Sequence, residues 1–262
     1  MPSNLYDIIN FHDYPITDLE SRHCDKILRD CHNQLEDKGL CLLPNFVQDN
    51  FINEMLAEVK ILQKKAFYTE HWRSPYGEVC TREQNFSNTT RASMSSIAFD
   101  LLGDNSKLRT LYESDFFTEF LRKVLKTKTF FKCADRMISC IITICRESDE
   151  LGWHYDPNDG VVSLLLQKSL KGGNFEFAPN VRMKNDKMSE REMSILNNEN
   201  DDVITPIQNP GTLSIFNGTN SLHRVSQVKS KVERIMILLS YSNKQNYIFA
   251  PQTRKRFFGR SN

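Results

Sequence analysis

The sequence predicts a mainly β fold with helical additions, a double-stranded β-helix (jelly roll, cupin-like) with N-terminal helices packed outside. From residue 129 onward the chain shows period-two alternation and many β-branched residues, which is typical of strands. Turn residues such as Gly172-Gly173 and Asn217-Gly218 separate about eight short apolar runs there, enough for a jelly roll. The earlier residues carry helical periodicity, and such helices commonly cover the outer face of a barrel.

We expect the 262 residues to form one domain. Its predicted parts are a helical N-terminal part with an active-site loop (1–128) and a jelly-roll core (129–262). The core contains a charged insert at 182–205, which is predicted to form a helical excursion and a loop.

The N-terminal elements follow from local signals. Residues 17–20 (TDLE) match a capping box and predict the start of a first helix, and Gly39 predicts its end. A short buried strand is predicted over 40–43 and a second helix over 49–65. Residues 68–96 lack a clean period and carry many polar and aromatic groups, so they are predicted to be a functional loop.

Two short helices, at 99–102 and 115–126, are predicted before the strands of the core. Apolar runs that are bounded by glycine, proline and asparagine indicate each strand. The predicted strands are a long strand pair from Thr129, followed by runs at 161–166, 174–178, 212–216, 222–228 and 235–241.

Composition excludes several classes of function. Lys+Arg number 34 and Asp+Glu 33, so the chain has no basic footprint for nucleic acid. No apolar run is long enough to span a membrane, and the N-terminal residues lack the design of a secretion signal. Seven cysteines without a CxxC pair do not resemble a disulfide framework. We therefore expect a cytoplasmic protein with a small-molecule partner and neither nucleic acid nor membrane.

Three residues predict a metal site. Side chains two positions apart on a strand share a face, so His154 and Asp156 can chelate one ion while His223 closes the site from a facing strand. Two imidazoles and one carboxylate form the facial triad of non-haem Fe(II) oxygenases, which leaves positions for co-substrate and O2. Another HxD motif, at His23 and Asp25, lies in the first predicted helix, where positions two apart do not face each other.

A basic residue follows the triad at a spacing that suits a co-substrate. Arg234 lies eleven residues after His223 and is predicted to bind the far carboxylate of 2-oxoglutarate through a bidentate pair. The hydroxyl groups of Thr212, Ser214 or Ser226 are candidates for a further contact there. The triad and this arginine predict an Fe(II)-, 2-oxoglutarate- and O2-dependent dioxygenase. A carboxylate in the triad fills the position that a halide would need, which favours hydroxylation over halogenation.

Longer strings around these residues resemble one family. The segments ADRMISCIITICRESDELGWHYD, VVSLLLQKSLKGGNFEFAPNVR, PGTLSIFNGTNSLHRVSQV and ERIMILLSYS, with the tail RFFGR, resemble the BesD/HalD-type family of iron/2-oxoglutarate enzymes. That family includes halogenases and hydroxylases of free amino acids such as lysine. The resemblance implies a jelly roll, iron, 2-oxoglutarate and an amino-acid-like substrate. Its halogenase members replace the Asp of HxD, whereas this chain keeps Asp156 and resembles the hydroxylating branch.

The resemblance also implies residues that bind substrate. By position, Arg91 looks like the arginine that meets the substrate carboxylate, and Asp135 is a candidate partner for a substrate amine. Asp135 is alternatively a structural acid that pairs with a neighbouring arginine. Ser240 and Phe258 fall where family members line the pocket. The implied reaction is hydroxylation of an unactivated carbon of a free amino acid, lysine-like or otherwise polar, with release of succinate and CO2.

Two other functions stay open. A peptide or protein side-chain hydroxylase would use the polar residues 68–96 as a binding groove. A catalytically idle jelly roll would serve as a binding module, but it has no need to keep the triad and Arg234 together. Succinate release in the presence of iron separates both enzymes from the binding module.

Overall fold

The computed structural model describes residues 5–80, 89–157, 161–183, 188–199 and 202–262. The helices are α1 (Arg22–Lys38), α2 (Asp49–Leu62), α3 (Lys107–Glu113), α4 (Asp115–Val124), α5 (Glu190–Leu196) and α6 (Pro251–Phe258). The strands are β1 (Leu40–Leu43), β2 (Phe67–Arg73), β3 (Val79–Cys80), β4 (Thr90–Ile97), β5 (Phe131–Lys132), β6 (Cys140–Cys145), β7 (Leu151–His154), β8 (Val161–Gln167), β9 (Phe175–Ala178), β10 (Leu213–Phe216), β11 (Leu222–Val225), β12 (Arg234–Leu239) and β13 (Tyr241–Ser242).

The strands form an antiparallel jelly roll, which confirms the predicted fold class. The main sheet has the order β1-β10-β8-β12-β6-β4-β7-β11-β9, and β2 joins it through β4 and carries β3. Neighbours in this sheet are distant in sequence, so the chain crosses repeatedly between the two ends of the sheet. The short strands β5 and β13 form a separate pair.

The alternation of β12 shows how the sequence separates the two faces of the sheet. Ile235 and Ile237 belong to the main apolar core, together with residues of α2, α3 and α4 that cover the barrel from outside. Because successive side chains on a strand point to opposite faces, Arg234 and Met236 point into the barrel. There they lie opposite residues of β6, Cys145 and Thr143 respectively.

The first helix begins later than predicted. Ser21 is the N-cap of α1, and its hydroxyl accepts a hydrogen bond from the backbone N–H of Cys24. The predicted start at residues 17–20 is therefore wrong, because the serine one position beyond them makes the capping bond. The predicted end is confirmed, since Gly39 adopts a left-handed conformation with φ of 70°.

The interpretation of residues 68–96 as a loop is wrong for the described part of that stretch. β2 pairs with β4 along its whole length, from Phe67 opposite Ser96 to Arg73 opposite Thr90. The hairpin could not be predicted because β4 lacks the alternation of apolar and polar residues that is typical of a strand. Its buried positions include three small polar residues, Ser93, Ser95 and Ser96. Residues 81–88 lie outside the described residues.

Two helices were missed by the sequence patterns, α3 and the C-terminal α6. α6 packs against β2, and its last residue, Phe258, lies in a small apolar cluster with Met137 and Ile141. None of the described helices combines the length and apolar character that a membrane crossing requires. The six cysteines whose side chains are described are all buried free thiols.

Candidate active site

Two neighbouring strands bring the predicted metal ligands together. His154 ends β7 and lies directly opposite His223 of β11. Nε2 of His154 is 3.9 Å from Oδ1 of Asp156, and Nε2 of His223 is 3.3 Å from Oδ2 of the same carboxylate. All three ligand atoms lie within 4.8 Å of one another. A first-row metal binds nitrogen and oxygen at about 2 Å, so donors on adjacent positions lie roughly 3 Å apart, which this arrangement can provide.

The backbone orients both imidazoles. Nδ1 of His154 lies 2.8 Å from the carbonyl oxygen of Gly152, and Nδ1 of His223 lies 2.9 Å from that of Ser221. When Nδ1–H donates to these carbonyls, the Nε2 lone pair of each ring is left for a metal ion. Each carbonyl belongs to the residue two positions before its histidine. The orientation of both metal-binding imidazoles is therefore fixed by short local segments of the chain.

Gly218 packs closely against Asp156. The backbone N–H of Asp156 donates to the carbonyl oxygen of Gly218 at 3.0 Å. A Cβ atom at position 218 would clash with the Asp156 carboxylate, so only glycine permits this close approach. The glycine of the predicted Asn217-Gly218 turn therefore has a role in the metal site.

The protonation state of His154 suits metal binding. Burial lowers the pKa of His154 well below its ordinary value, and the nearby Arg73 and His223 lower it further. The imidazole is therefore neutral at pH 7, which is the form that binds a metal. Two imidazoles and a carboxylate on one face fit Fe(II).

Arg234 lies inside the barrel with an uncompensated charge. It is 5% exposed, and among the described residues no carboxylate forms an ion pair with it. Burial lowers its pKa. Because a buried charge without a partner is costly, this guanidinium is suited to bind an anionic ligand. The binding of 2-oxoglutarate by Arg234 stays a prediction.

The three hydroxyl residues predicted near Arg234 differ in their surroundings. Thr212 and Ser214 are buried and accept hydrogen bonds from the backbone N–H of Asn209 at 3.3 Å and from Nε2 of Gln208 at 2.9 Å. Ser226 accepts one from the backbone N–H of Asn174 at 3.0 Å. Their contact with 2-oxoglutarate stays a prediction.

A cavity of about 390 Å³ adjoins the triad. The jelly roll contributes His154 and Asp156 to its wall, and β2 contributes Thr69, His71 and Arg73, which share one face of that strand. The wall is completed by apolar residues and by the C-terminal region. These further residues include Met94, Ile138, Ile141, Leu238, Ser240, Tyr247, Phe249, Thr253, Arg256 and Phe257.

Two of the predicted substrate residues have structural partners away from this cavity. Nε of Arg91 donates to Glu70 at 2.8 Å, and its NH1 lies 3.5 Å from Glu150. Asp135 is buried and accepts a hydrogen bond from Arg254 at 2.9 Å and others from backbone amides. Their positions do not support substrate binding, because both charges are already compensated. For Asp135 the structure agrees with the alternative of a structural acid.

The other two predicted substrate residues lie near the cavity. Ser240 lines it, although its hydroxyl donates to the carbonyl of Ile138 at 2.8 Å. Phe258 is buried beneath the wall, and its neighbour Phe257 lines the cavity instead. Phe257 and Phe258 are adjacent on α6, a helix that was not predicted, and the orientation of this helix turns the ring of Phe257 towards the cavity.

Two basic residues of the cavity, His71 and Arg73, belong to the stretch 68–96 that was predicted to be a functional loop, whereas Arg256 was not predicted. Nε of Arg73 is buried and has no hydrogen-bond partner among the described residues, and the same holds for both ring nitrogens of His71. Burial lowers the pKa of Arg73 to about 10, with a further contribution from Arg256, while Asp156 opposes the shift. The available signal was the period-two spacing of Thr69, His71 and Arg73, once this stretch is taken as a strand.

His71 gives a prediction about pH. Burial, together with the nearby charges of Arg73 and Arg256, lowers its pKa from 6.5 to about 4. The unfolded chain therefore binds a proton that the folded protein excludes, so stability is lost as the pH falls from about 6.5 towards 4. After discounting for the partial exposure of His71, we expect the free energy of unfolding to fall between pH 7 and pH 4.5 by about 1 kcal/mol less in His71→Asn than in wild type. Denaturant unfolding at both pH values measures this, and equal losses would contradict it.

Comparison with known proteins gives one family match. The model of the halogenase D family matches residues 24–256. A sequence comparison with the curated proteins gives no match.

Solved structures share the fold at low identity. A 2OG-Fe(II) oxygenase family oxidoreductase from Burkholderia pseudomallei has 18% identity and a TM-score of 0.53, over 84% of this chain and 92% of that chain. The epimerase SnoN, in complex with Fe3+, alpha ketoglutarate and nogalamycin RO, has 13% identity and a TM-score of 0.58, over 83% of this chain and 84% of that chain. EctD from S. alaskensis, with 2-oxoglutarate and 5-hydroxyectoine, has 13% identity and a TM-score of 0.54, over 80% and 74%. At these identities the likeness shows the fold alone.

Proposed function

Because this chain belongs to the halogenase D family, a group of iron/2-oxoglutarate oxygenases, we propose that it hydroxylates an unactivated carbon of a free amino acid. Succinate and CO2 are released from 2-oxoglutarate in the same reaction. The observation that carries the proposal is the complete donor set of His154, Asp156 and His223, two members of which, His154 and Asp156, line a cavity of about 390 Å³. A cavity of this size suits a small molecule.

The residues of the barrel have separate roles in this proposal. His154, Asp156 and His223 hold Fe(II), and Arg234 binds the far carboxylate of 2-oxoglutarate. When bound, iron and 2-oxoglutarate would activate O2 for cleavage of a C–H bond, with one oxygen atom going to the substrate and the other to succinate, while the protein aims the substrate and limits water. Thr212, Ser214 and Ser226 stay candidates for a hydroxyl contact with the co-substrate.

Hydroxylation is favoured over halogenation by the carboxylate in the triad. Asp156 lies within 3.9 Å of the metal-binding nitrogens of both histidines, so it occupies a ligand position that a halide would otherwise take. The contact with Gly218 restricts its movement out of that position. The proposed outcome is therefore transfer of oxygen to the substrate carbon.

Arg73 replaces Arg91 as the proposed anchor of the substrate carboxylate. It lines the cavity close enough to Asp156 for their charges to interact, and its buried Nε has no protein partner among the described residues. A guanidinium beside the metal can hold a carboxylate by two parallel hydrogen bonds and so fix the carbon that is oxidised. A free amino acid is favoured over a peptide, because β2 and β4 form a paired hairpin in place of the open groove that a peptide hydroxylase would need.

The test is product analysis of the wild-type enzyme with Fe(II), 2-oxoglutarate, O2 and each of the common amino acids, with chloride present. We expect substrate-dependent succinate and a product heavier by one oxygen atom. Succinate that no amino acid stimulates would contradict the choice of substrate class, and a chlorinated wild-type product would contradict hydroxylation.

Asp156→Gly is expected to lose most hydroxylation, by at least about a hundredfold, because the metal loses a ligand and the substrate carbon is no longer aligned. The variant should bind chloride or azide at iron, visible in the absorption spectrum of the Fe(II)–2-oxoglutarate complex, whereas wild type should not. Asp25→Ala, in the other HxD motif, is the control and should behave as wild type. Halide binding by the wild type would show that Asp156 is not a ligand.

A further inference from the structure

A second space of about 320 Å³ shares the lining residues Thr69, His71, Thr253 and Arg256 with the main cavity and is further lined by Val79 and Gln252. We propose that Arg256 and His71 form a second anion-binding subsite there, so that the substrate is an acidic amino acid with a negatively charged side chain. The inference rests on the proposed function, because it names the substrate class of that same cavity.

The charges of the wall are unbalanced. Arg73 and Arg256 both line the main cavity, and Asp156 is the one carboxylate among its described lining residues. That carboxylate is assigned to the metal ion. Two guanidinium groups therefore face the cavity without a carboxylate of their own, and one substrate carboxylate compensates only one of them.

Arg256 has no acidic partner on any element packed around it in the described residues. Its guanidinium lies 5.5 Å from the centre of the neighbouring Phe257 ring, and no ion pair or hydrogen bond to it is formed by the described side chains of β2 or α6. Burial lowers the pKa of Arg256, as expected for a cation that lacks compensation. Another arginine of the same helix, Arg254, does have an acidic partner, because its guanidinium lies 2.9 Å from the carboxylate of Asp135.

His71 strengthens the subsite because its polar atoms are also unused. Both of its ring nitrogens are buried without a hydrogen-bond partner among the described residues. His71 and Arg73 are two positions apart on β2, so their backbones lie about 7 Å apart on one face. The hydroxyl groups of Thr69 and Thr253 line the same space and offer further donors. Such a cluster of donors suits the oxygen atoms of an anion.

The same arrangement argues against a side-chain ammonium. An ammonium would need a carboxylate to balance its charge at this end of the cavity, and the predicted partner Asp135 is compensated by Arg254 elsewhere. Carboxylate, phosphate and sulfonate share the required chemistry, so the subsite itself selects a terminal oxyanion. Aspartate and glutamate are the simplest amino acids that carry one.

Matched acid and amide pairs test the subsite by binding alone. Calorimetric titration uses protein that is saturated with Mn(II) and 2-oxoglutarate, and it compares aspartate with asparagine, glutamate with glutamine, and O-phosphoserine with serine. We expect at least one acid to bind about ten- to a hundredfold more tightly than its neutral partner, as a charged hydrogen bond implies. The pair with the largest ratio distinguishes a carboxylate from a phosphate.

Three variants locate the effect. Arg256→Gln should reduce the acid-to-neutral ratio to about one, Arg73→Gln should weaken both members of a pair, and Arg256→Lys should restore part of the ratio. Lys255→Gln removes the same charge from an exposed position of α6 and should leave the ratio unchanged. Thermal unfolding and 2-oxoglutarate affinity check that each variant is folded.

Wild-type protein that binds no acid more tightly than its neutral partner would overturn the second subsite, as would an undiminished ratio in a folded Arg256→Gln variant. Failure of the proposed function looks different. In that case an acid binds selectively, but no ligand stimulates succinate formation when Fe(II) replaces Mn(II). Conversely, succinate that is stimulated only by neutral or basic amino acids keeps the oxygenase and rejects the subsite.

Discussion

Alanine at His154 or at His223 is expected to abolish Fe(II) binding at micromolar metal. The three donor atoms lie within 4.8 Å of one another, and removal of one imidazole leaves a single imidazole and a carboxylate. Two protein ligands do not hold a labile divalent ion at such concentrations. Succinate formation should be lost with the metal. Anaerobic titration with Fe(II), or with Mn(II) followed by its magnetic resonance signal, measures the affinity directly.

A histidine outside the barrel provides the matched control. His23 is exposed on α1 and belongs to the other HxD motif, so His23→Ala should bind metal as wild type does. Thermal unfolding of the metal-free proteins shows whether the buried substitutions also disturb the fold. Wild-type metal affinity in both triad variants would refute the assignment of the ligands.

Arg234→Leu is expected to weaken 2-oxoglutarate binding by roughly 2–4 kcal/mol, or about thirty- to a thousandfold, because a charge-assisted bidentate pair is lost from a buried site. Metal affinity should be unchanged, since Arg234 is not a ligand. The hydrophobic side chain also removes an uncompensated charge, so the metal-free protein should unfold at no lower temperature than wild type. Titration of the Mn(II)-loaded protein with 2-oxoglutarate measures the effect.

Arg224→Leu is the control for this second prediction. Arg224 is also on a core strand, but it donates to Glu176 at 2.7 Å and lies 4.6 Å from the centre of the Trp153 ring. Its charge is already compensated, so its loss should leave 2-oxoglutarate affinity near that of wild type. An Arg234→Leu variant with normal affinity, together with a weakened Arg224→Leu variant, would transfer the anchor to Arg224.

The jelly roll and the family could be predicted because their signals are local. Alternation in the runs that became β8, β10 and β12 reflects one face toward the helices and one toward the barrel. The match of the halogenase D family confirms the resemblance that was inferred from strings around the triad. The convergence of His154, Asp156 and His223 could likewise be inferred. His154 ends a strand and Asp156 follows it two residues later, so only His223 has to be brought in by a neighbouring strand.

The substrate wall could not be predicted in the same way, because charge compensation depends on contacts between distant segments. Arg91 and Arg73 are neighbours on a paired hairpin and look alike in the sequence, yet Arg91 pairs with Glu70 and Glu150 while Arg73 faces the cavity. Arg256 was missed because α6 is short and rich in basic residues. Only the packing of this helix against β2 brings Arg256 to the cavity.

The hairpin β2–β4 and helix α6 have a consequence for how such an enzyme changes during evolution. His71 and Arg73 stand on a strand that joins the main sheet through β4, and Arg256 stands on the last helix of the described chain. The metal donors instead belong to β7, the turn after it and β11. If these residues select the substrate as proposed, mutations in the two peripheral elements alter which molecule is accepted without replacing any of the metal donors.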